Sequence, residues 1–232
     1  MNTVKLSDRL AAVASFVEEG AVLADIGSDH AYLPCYLVHA HKIERAIAGE
    51  VVKGPFESAV KNVKREGLDD HITVRLANGL SAIKEHDQVD TVTIAGMGGP
   101  LIATILQEGK DKLFSVKRII TQPNIHASSI RQWAMENGWK IVNEQILKED
   151  GKIYEIIVLE KGKSVYDDLE IAVGPFLLQQ RSDTFLEKWN REVLEWQRVL
   201  LSLEHAAETE EIRLKKDHLS KRIQLIGKVL SD

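Results

Sequence analysis

The chain has 232 residues, 44% hydrophobic and 28% charged, enough to bury one sizeable core and to carry a smaller appendage. Its net charge of -5 argues against a non-specific nucleic-acid binder, without excluding an enzyme that carries a local basic patch. The single cysteine, Cys35, excludes an internal disulfide or a cysteine-rich metal site. No apolar window approaches the ~20 residues of a membrane span, and the run from Leu10 to Val17 is too short for a secretory signal. The expected setting is therefore a reducing cytoplasm, with no membrane partner and no metal.

From about residue 20 to residue 160, short apolar runs alternate with longer amphipathic stretches. Residues 22–26, 45–48, 72–75, 91–95 and 118–121 are short and rich in β-branched side chains, and read as strands. Residues 55–66 and 100–107 read as helices, each opening on a proline suited to the first turn, and 128–137 as another. Strands alternating with helices predict a parallel sheet covered on both faces. Two further strand-like runs, 139–147 and 154–159, flank the turn Glu149-Asp150-Gly151-Lys152, and predict an antiparallel hairpin closing the sheet. Beyond about Asp167 the pattern changes. Apolar residues recur at Leu178, Phe185, Trp189, Trp196, Leu200 and Leu203, then at Ile212, Leu219, Ile223, Ile226 and Leu230, in the sevens, fours and threes of a coiled-coil seam. The polar interval from His205 to Glu211 is the expected turn of a helical hairpin, and the tail tryptophans are read as seam packing. This divides the chain into an α/β domain over 1–164 and a helical domain over 165–232.

Asp25-Ile26-Gly27-Ser28-Asp29-His30-Ala31-Tyr32 follows the first strand and leads into a helix. A glycine there lets backbone approach a ligand, and the helix turns its first amides toward it. The second and third glycines of the dinucleotide fingerprint are absent, which argues against a nucleotide-binding oxidoreductase. An acid before the glycine suits a ligand with a positive or hydroxyl-rich part, and S-adenosylmethionine has both. The bland alternative is a tight turn with capping aspartates. Glu50, ending the second strand, is placed to accept from both hydroxyls of a ribose. Asn78 and Gly79, after the third strand, suit an adenine edge or a simple turn. The fourth strand ends in Gly96-Met97-Gly98-Gly99-Pro100, backbone that must come close to something, beside the expected cofactor. Gln122 and Asn124, ending the fifth strand, offer amides to the same crevice.

These motifs, with Ala48-Gly49-Glu50, Gln122-Pro123-Asn124 and Val173-Gly174-Pro175, resemble the bacterial tRNA (adenine-N1)-methyltransferases that modify adenosine 22 in the D-arm, the TrmK family. The resemblance spans nearly the whole chain. It implies a Rossmann-like class I methyltransferase domain with a C-terminal coiled coil, S-adenosylmethionine as cofactor and tRNA as partner. It assigns Asp25, Gly27 and Ser28 to the methionine part of the cofactor, Glu50 to its ribose, and Asn78 and Gly79 to its adenine. Gly96 and Met97 are expected beside the cofactor, and Gly98, Gly99, Gln122, Asn124 and Arg9 on the substrate side. Asp29 is the candidate catalytic carboxylate, with a rival role as helix N-cap, and His30 and Tyr32 are candidates to position the base. Arg9, Lys53, Arg213, Lys215, Lys216, Lys221 and Arg222 are candidate tRNA cations, although acids interleave those of the tail. A hairpin that packs on itself favours a monomer. A methyltransferase with a substrate other than tRNA, and a non-catalytic recruiting module, are the alternatives.

Overall fold

The computed structural model describes residues 3, 5–205 and 209–231. The chain forms two compact units, 1–165 and 166–232. In the first, strands β1 (Val22–Ile26), β2 (Arg45–Glu50), β3 (Ile72–Leu76), β4 (Thr91–Met97) and β5 (Arg118–Pro123) alternate with helices α1 (Asp8–Ser15), α2 (Tyr32–His39), α3 (Lys53–Arg65), α4 (Gly99–Glu108) and α5 (Ser128–Glu136). The hairpin β6 (Trp139–Glu149) and β7 (Lys152–Lys161) completes a seven-stranded sheet of order β3-β2-β1-β4-β5-β7-β6. Strands β1 to β5 are parallel, while β7 runs antiparallel to both β5 and β6, as the turn at Asp150-Gly151 predicts for the hairpin.

Alternation along each strand feeds two cores. Leu23, Ala46, Ala48, Ile120 and Val158 pack under α1, α2 and α3 with Val13, Leu37 and Val63. Their neighbours Ala24, Ile47, Val92 and Ile119 are buried on the other face. The order reverses between β1 and β4, and in open sheets a crevice forms at such a switch, beyond the carboxyl strand ends.

Strands β2 to β7 each run further than their apolar stretches suggested. β2 continues through Gly49-Glu50, β4 through Gly96-Met97 and β5 through Gln122-Pro123, because the ladder pairs backbone whatever the side chain. Glu50 lies opposite Leu76, and Met97 opposite Pro123 across a bulge at Gly96. Helix α1, within a run that looked merely apolar, is capped by Ser7, whose Oγ accepts from the Leu10 amide. The last strand pair is bolted to α5 by Arg131, fully buried, which donates to Glu144 and Glu155 at 2.7 Å each.

In the second unit two short helices precede the expected pair: α6 (Asp168–Val173), opened by an Asp167–Glu170 capping box, and α7 (Pro175–Gln180). Helices α8 (Asp183–Glu204) and α9 (Glu210–Ser231) follow; residues 206–208, the middle of the expected turn, lie outside the described residues. The Arg222 guanidinium sits 4.1 Å over the Trp196 ring, so α9 runs back along α8. Phe185, Trp189, Trp196, Leu219 and Ile226 are buried, and the other seam positions are half-buried. Among the described residues no helix is long and apolar enough to cross a membrane, and no cluster of three or more His, Cys, Asp or Glu could hold a metal ion.

Candidate active site

The parallel register brings the carboxyl ends of β1, β2 and β4 level. Asp25 lies beside Ala48 on β2 and Thr93 on β4. Its carboxylate, almost wholly buried, accepts from Ser28 Oγ at 2.5 Å and from Thr93 Oγ1 at 2.6 Å. Burial pushes its pKa up to about 6; the two hydroxyl bonds oppose that rise and the nearby Glu50 adds to it. A buried carboxylate held at such cost is suited to a cationic group. Gly27 follows at φ 71°, and a Cβ there would come within 2.0 Å of the Met97 Cε, so the first turn and the β4 end touch through backbone and thioether. The Ser28 hydroxyl is turned inward onto Asp25, so it orients that carboxylate.

Asp29, His30 and Ala31 follow with φ of 37°, 63° and 56°, three consecutive non-glycine residues in the left-handed region. Such backbone costs about 1–2 kcal/mol per residue and persists only where its surroundings hold it. Two tethers do so. The Asp29 amide donates to Glu50 Oε1, and Asn62 of α3 donates through Nδ2 to the His30 carbonyl at 2.8 Å. The rival role for Asp29 as helix cap does not match the structure: α2 begins at Tyr32, and its N-cap is Ala31, with no side-chain capping bond. The strained turn sends the Asp29 side chain outward at 70% exposure, 3.4 Å from His30 Nε2. The His30 ring in turn stacks on Tyr32 at 5.3 Å.

Across the crevice, the Gly96 segment is pinned from beneath. Gln122 Oε1 accepts from the Gly96 amide at 3.0 Å and from Arg9 Nη1. The Asn124 side chain donates to the Gly96 carbonyl, and its backbone amide to that of Met97, both at 2.7 Å. Gln122 is fully buried with its amide engaged, so it shapes the loop from below; Asn124 is exposed and lies at the surface. Gly99 admits no side chain, since a Cβ would meet the His126 carbonyl oxygen at 2.0 Å. Arg9 reaches this loop from α1, with its guanidinium 5.2 Å from the Tyr154 ring and 3.9 Å from Glu149. Exposed Ile125 and Leu101 flank Gly98 and Gly99.

Asn78 and Gly79 follow β3, where the Ala77 amide donates to the Glu50 carbonyl, so they lie on the Glu50 side of the crevice. Val51 and Val52, which follow Glu50, and Leu76, its register partner on β3, are all more than half exposed and leave apolar surface at that strand end. Of the candidate cations, Lys53 pairs with Glu57, Arg213 with Glu210 and Lys221 with Asp217, and Arg222 covers Trp196. The sequence reading passed over Thr93, Asn62 and Tyr154. Thr93 and Tyr154 carry no local signal, because register alone brings them in. Asn62 does carry one: it is an amide lodged between Ala59 and Val63 on the buried stripe of α3.

A family model described as TrmK, tRNA (adenine(22)-N(1))-methyltransferase, matches residues 23–228. The chain is 48% identical over 236 residues to the tRNA (adenine(22)-N(1))-methyltransferase of Bacillus subtilis, covering 99% of each. A Streptococcus pneumoniae protein solved in complex with S-adenosyl-L-methionine superposes with TM-score 0.89 at 48% identity, covering 97% of this chain and 100% of that one. The TrmK protein of M. capricolum, solved with S-adenosyl-homocysteine, superposes with TM-score 0.85 at 30% identity, covering 97% of this chain and 98% of that one.

Proposed function

Because the chain belongs to the tRNA (adenine(22)-N(1))-methyltransferase family, we propose that it transfers a methyl group from S-adenosylmethionine to N1 of adenosine 22 in the tRNA D-arm. What carries the reading is that the matched span holds the whole carboxyl edge of the sheet, where Asp25, Glu50, the Asp29–Tyr32 turn and the Gly96–Gly99 loop meet. The residues suit the cofactor: one buried carboxylate for an ammonium, a second for a diol, apolar surface for an adenine, and a turn at Gly27 without room for a side chain.

When bound, S-adenosylmethionine supplies an electrophilic sulfonium methyl. Asp25, oriented by Ser28 and Thr93, holds the ammonium of its amino-acid end. Glu50 accepts from the ribose, Asn78 and Gly79 meet the adenine, and Gly96 and Met97 wall the reacting end. N1 of the target adenine is neutral at pH 7 and carries a free lone pair, so no strong base is needed to make the nucleophile. Positioning supplies much of the rate. N1 lies on the Watson–Crick edge, so the target base must leave its pair and stack. Gly98, Gly99 and Asn124, with Arg9 and Gln122 behind them, form the acceptor side. Methylation leaves positive charge on the adenine; Asp29 stabilises that charge or takes a proton from the exocyclic amine. His30 and Tyr32, already stacked on each other, position the base. Residues 1–164 act as the catalytic domain and 165–232 as the helical appendage. The setting proposed is a cytoplasmic monomer, in keeping with a lone buried thiol and with buried tail tryptophans.

The test is mass spectrometry of nucleosides from unmodified tRNA incubated with the protein and cofactor. N1-methyladenosine is expected, and it should vanish when adenosine 22 is replaced by guanosine. Methylation elsewhere, or none, overturns the assignment.

A further inference from the structure

We propose that Asn62 is a positioning residue for methyl transfer: by donating to the His30 carbonyl it holds the left-handed turn that aims Asp29, His30 and Tyr32 at the acceptor. The inference rests on the proposed role of that turn and adds a residue of α3 that touches neither cofactor nor substrate.

The turn cannot hold itself. Three successive left-handed residues, none of them glycine, oppose their own sterics, and the helix that follows supplies no side-chain cap. The turn is tethered at both ends, and the Ala31 carbonyl also accepts from the Cys35 amide of α2. At its start the Asp29 amide is bound by Glu50, and after His30 the carbonyl is bound by Asn62 Nδ2 at 2.8 Å. Glu50 is also the proposed ribose acid, so its grip is shared. Asn62 is not shared. It is buried at 5% exposure, and Arg65 of the same helix donates to its Oδ1, which points Nδ2 at His30. An amide on an otherwise apolar helix stripe, satisfied on both sides and spent on one strained carbonyl, is more than packing of α3 against the sheet requires.

Isosteric Asn62→Asp separates donor from shape. The carboxylate keeps the volume and the Arg65 contact but cannot donate to a carbonyl. Expected is a fall in kcat of about 10- to 100-fold, the scale of an ångström-level misplacement, with affinity for S-adenosylmethionine within about threefold of the parent. Adding Ala31→Gly is the rescue. Glycine adopts the left-handed region readily, so the double variant recovers at least about tenfold of the kcat lost by Asn62→Asp. The proposal is overturned if Asn62→Asp keeps the parent kcat. It is equally overturned if melting temperature, cofactor affinity and kcat all fall together and Ala31→Gly restores nothing, because Asn62 then only packs. Asp29→Ala run alongside distinguishes the two levels of claim. Full activity there removes the role of the turn, whereas a dead Asp29→Ala with a fully active Asn62→Asp removes only Asn62.

Discussion

Asp25, the proposed partner of the cofactor ammonium, is a carboxylate buried at the expense of stability. Its pKa rises from the ordinary 3.8 to about 6, chiefly through burial. A carboxyl group whose folded pKa lies above its unfolded one contributes stability that is fully present below about pH 4 and lost as pH rises through about 6. The two-unit shift corresponds to as much as about 3 kcal/mol. Asp25→Asn is therefore expected to raise stability at pH 8 by up to that amount in denaturant titrations, and to flatten the pH dependence between 4 and 6. The same variant loses affinity for S-adenosylmethionine, since a neutral amide cannot balance an ammonium. In the parent, calorimetry should show affinity level between about pH 6 and the pH at which the cofactor's ammonium deprotonates, about 8, and falling about tenfold per unit below about 6. A flat profile would remove Asp25 from the ammonium. Asp29 behaves differently because the chain makes a different use of it: it is exposed at 70%, outside the sheet, and aimed by backbone strain.

At the scale of elements, the closing hairpin is the least expected piece of the site. β7 pairs with β5 only from Glu160 back to Ile157, so its first residues and the end of β6 run on past the carboxyl edge of β5. Arg9 ties that overhang to the crevice: its guanidinium lies against Tyr154 and Glu149 and reaches Gln122, which holds Gly96. The hairpin is anchored in turn by Arg131 of α5 between Glu144 and Glu155. Burial and the two carboxylates act oppositely on this guanidinium; the carboxylates prevail and its pKa lies above the ordinary value. Arg131→Met strands two buried carboxylates, and should lower unfolding stability by about 3–5 kcal/mol in denaturant titrations. A loss below about 1 kcal/mol would show that water or other groups replace the arginine.

At the scale of the whole molecule, every residue assigned to cofactor or acceptor lies in the unit 1–165. That unit has its own core on both faces of the sheet. A chain ending at residue 165 is expected to fold and to bind S-adenosylmethionine with parental affinity by calorimetry; lost binding would show that the helical unit is needed for the first to form. The tail commits much of its charge to itself, in the pairs Arg213–Glu210 and Lys221–Asp217 and in Arg222 over Trp196. Comparing tRNA affinity of the short and full chains measures what the remaining cations contribute.

The alternating sheet, the closing hairpin at Asp150-Gly151, the helical tail and the acid–glycine motifs at Asp25 and Glu50 are all legible in the sequence. These depend on periodicity and turn chemistry, which are local. The sequence also brings Gly27, Gly96 and Glu50 to one edge of the sheet, since strand ends in such a sheet converge. Which side chains those motifs are free to use follows from long-range contacts alone. Register set Thr93 beside Asp25, the overhanging hairpin brought Tyr154 to Arg9, and α3 carried Asn62 to His30. Tertiary tethers also set the course of the chain at Asp29: the local pattern of an acid ahead of a helix suits a cap, but bonds to Glu50 and from Asn62 hold the backbone in a left-handed turn that no local preference would choose.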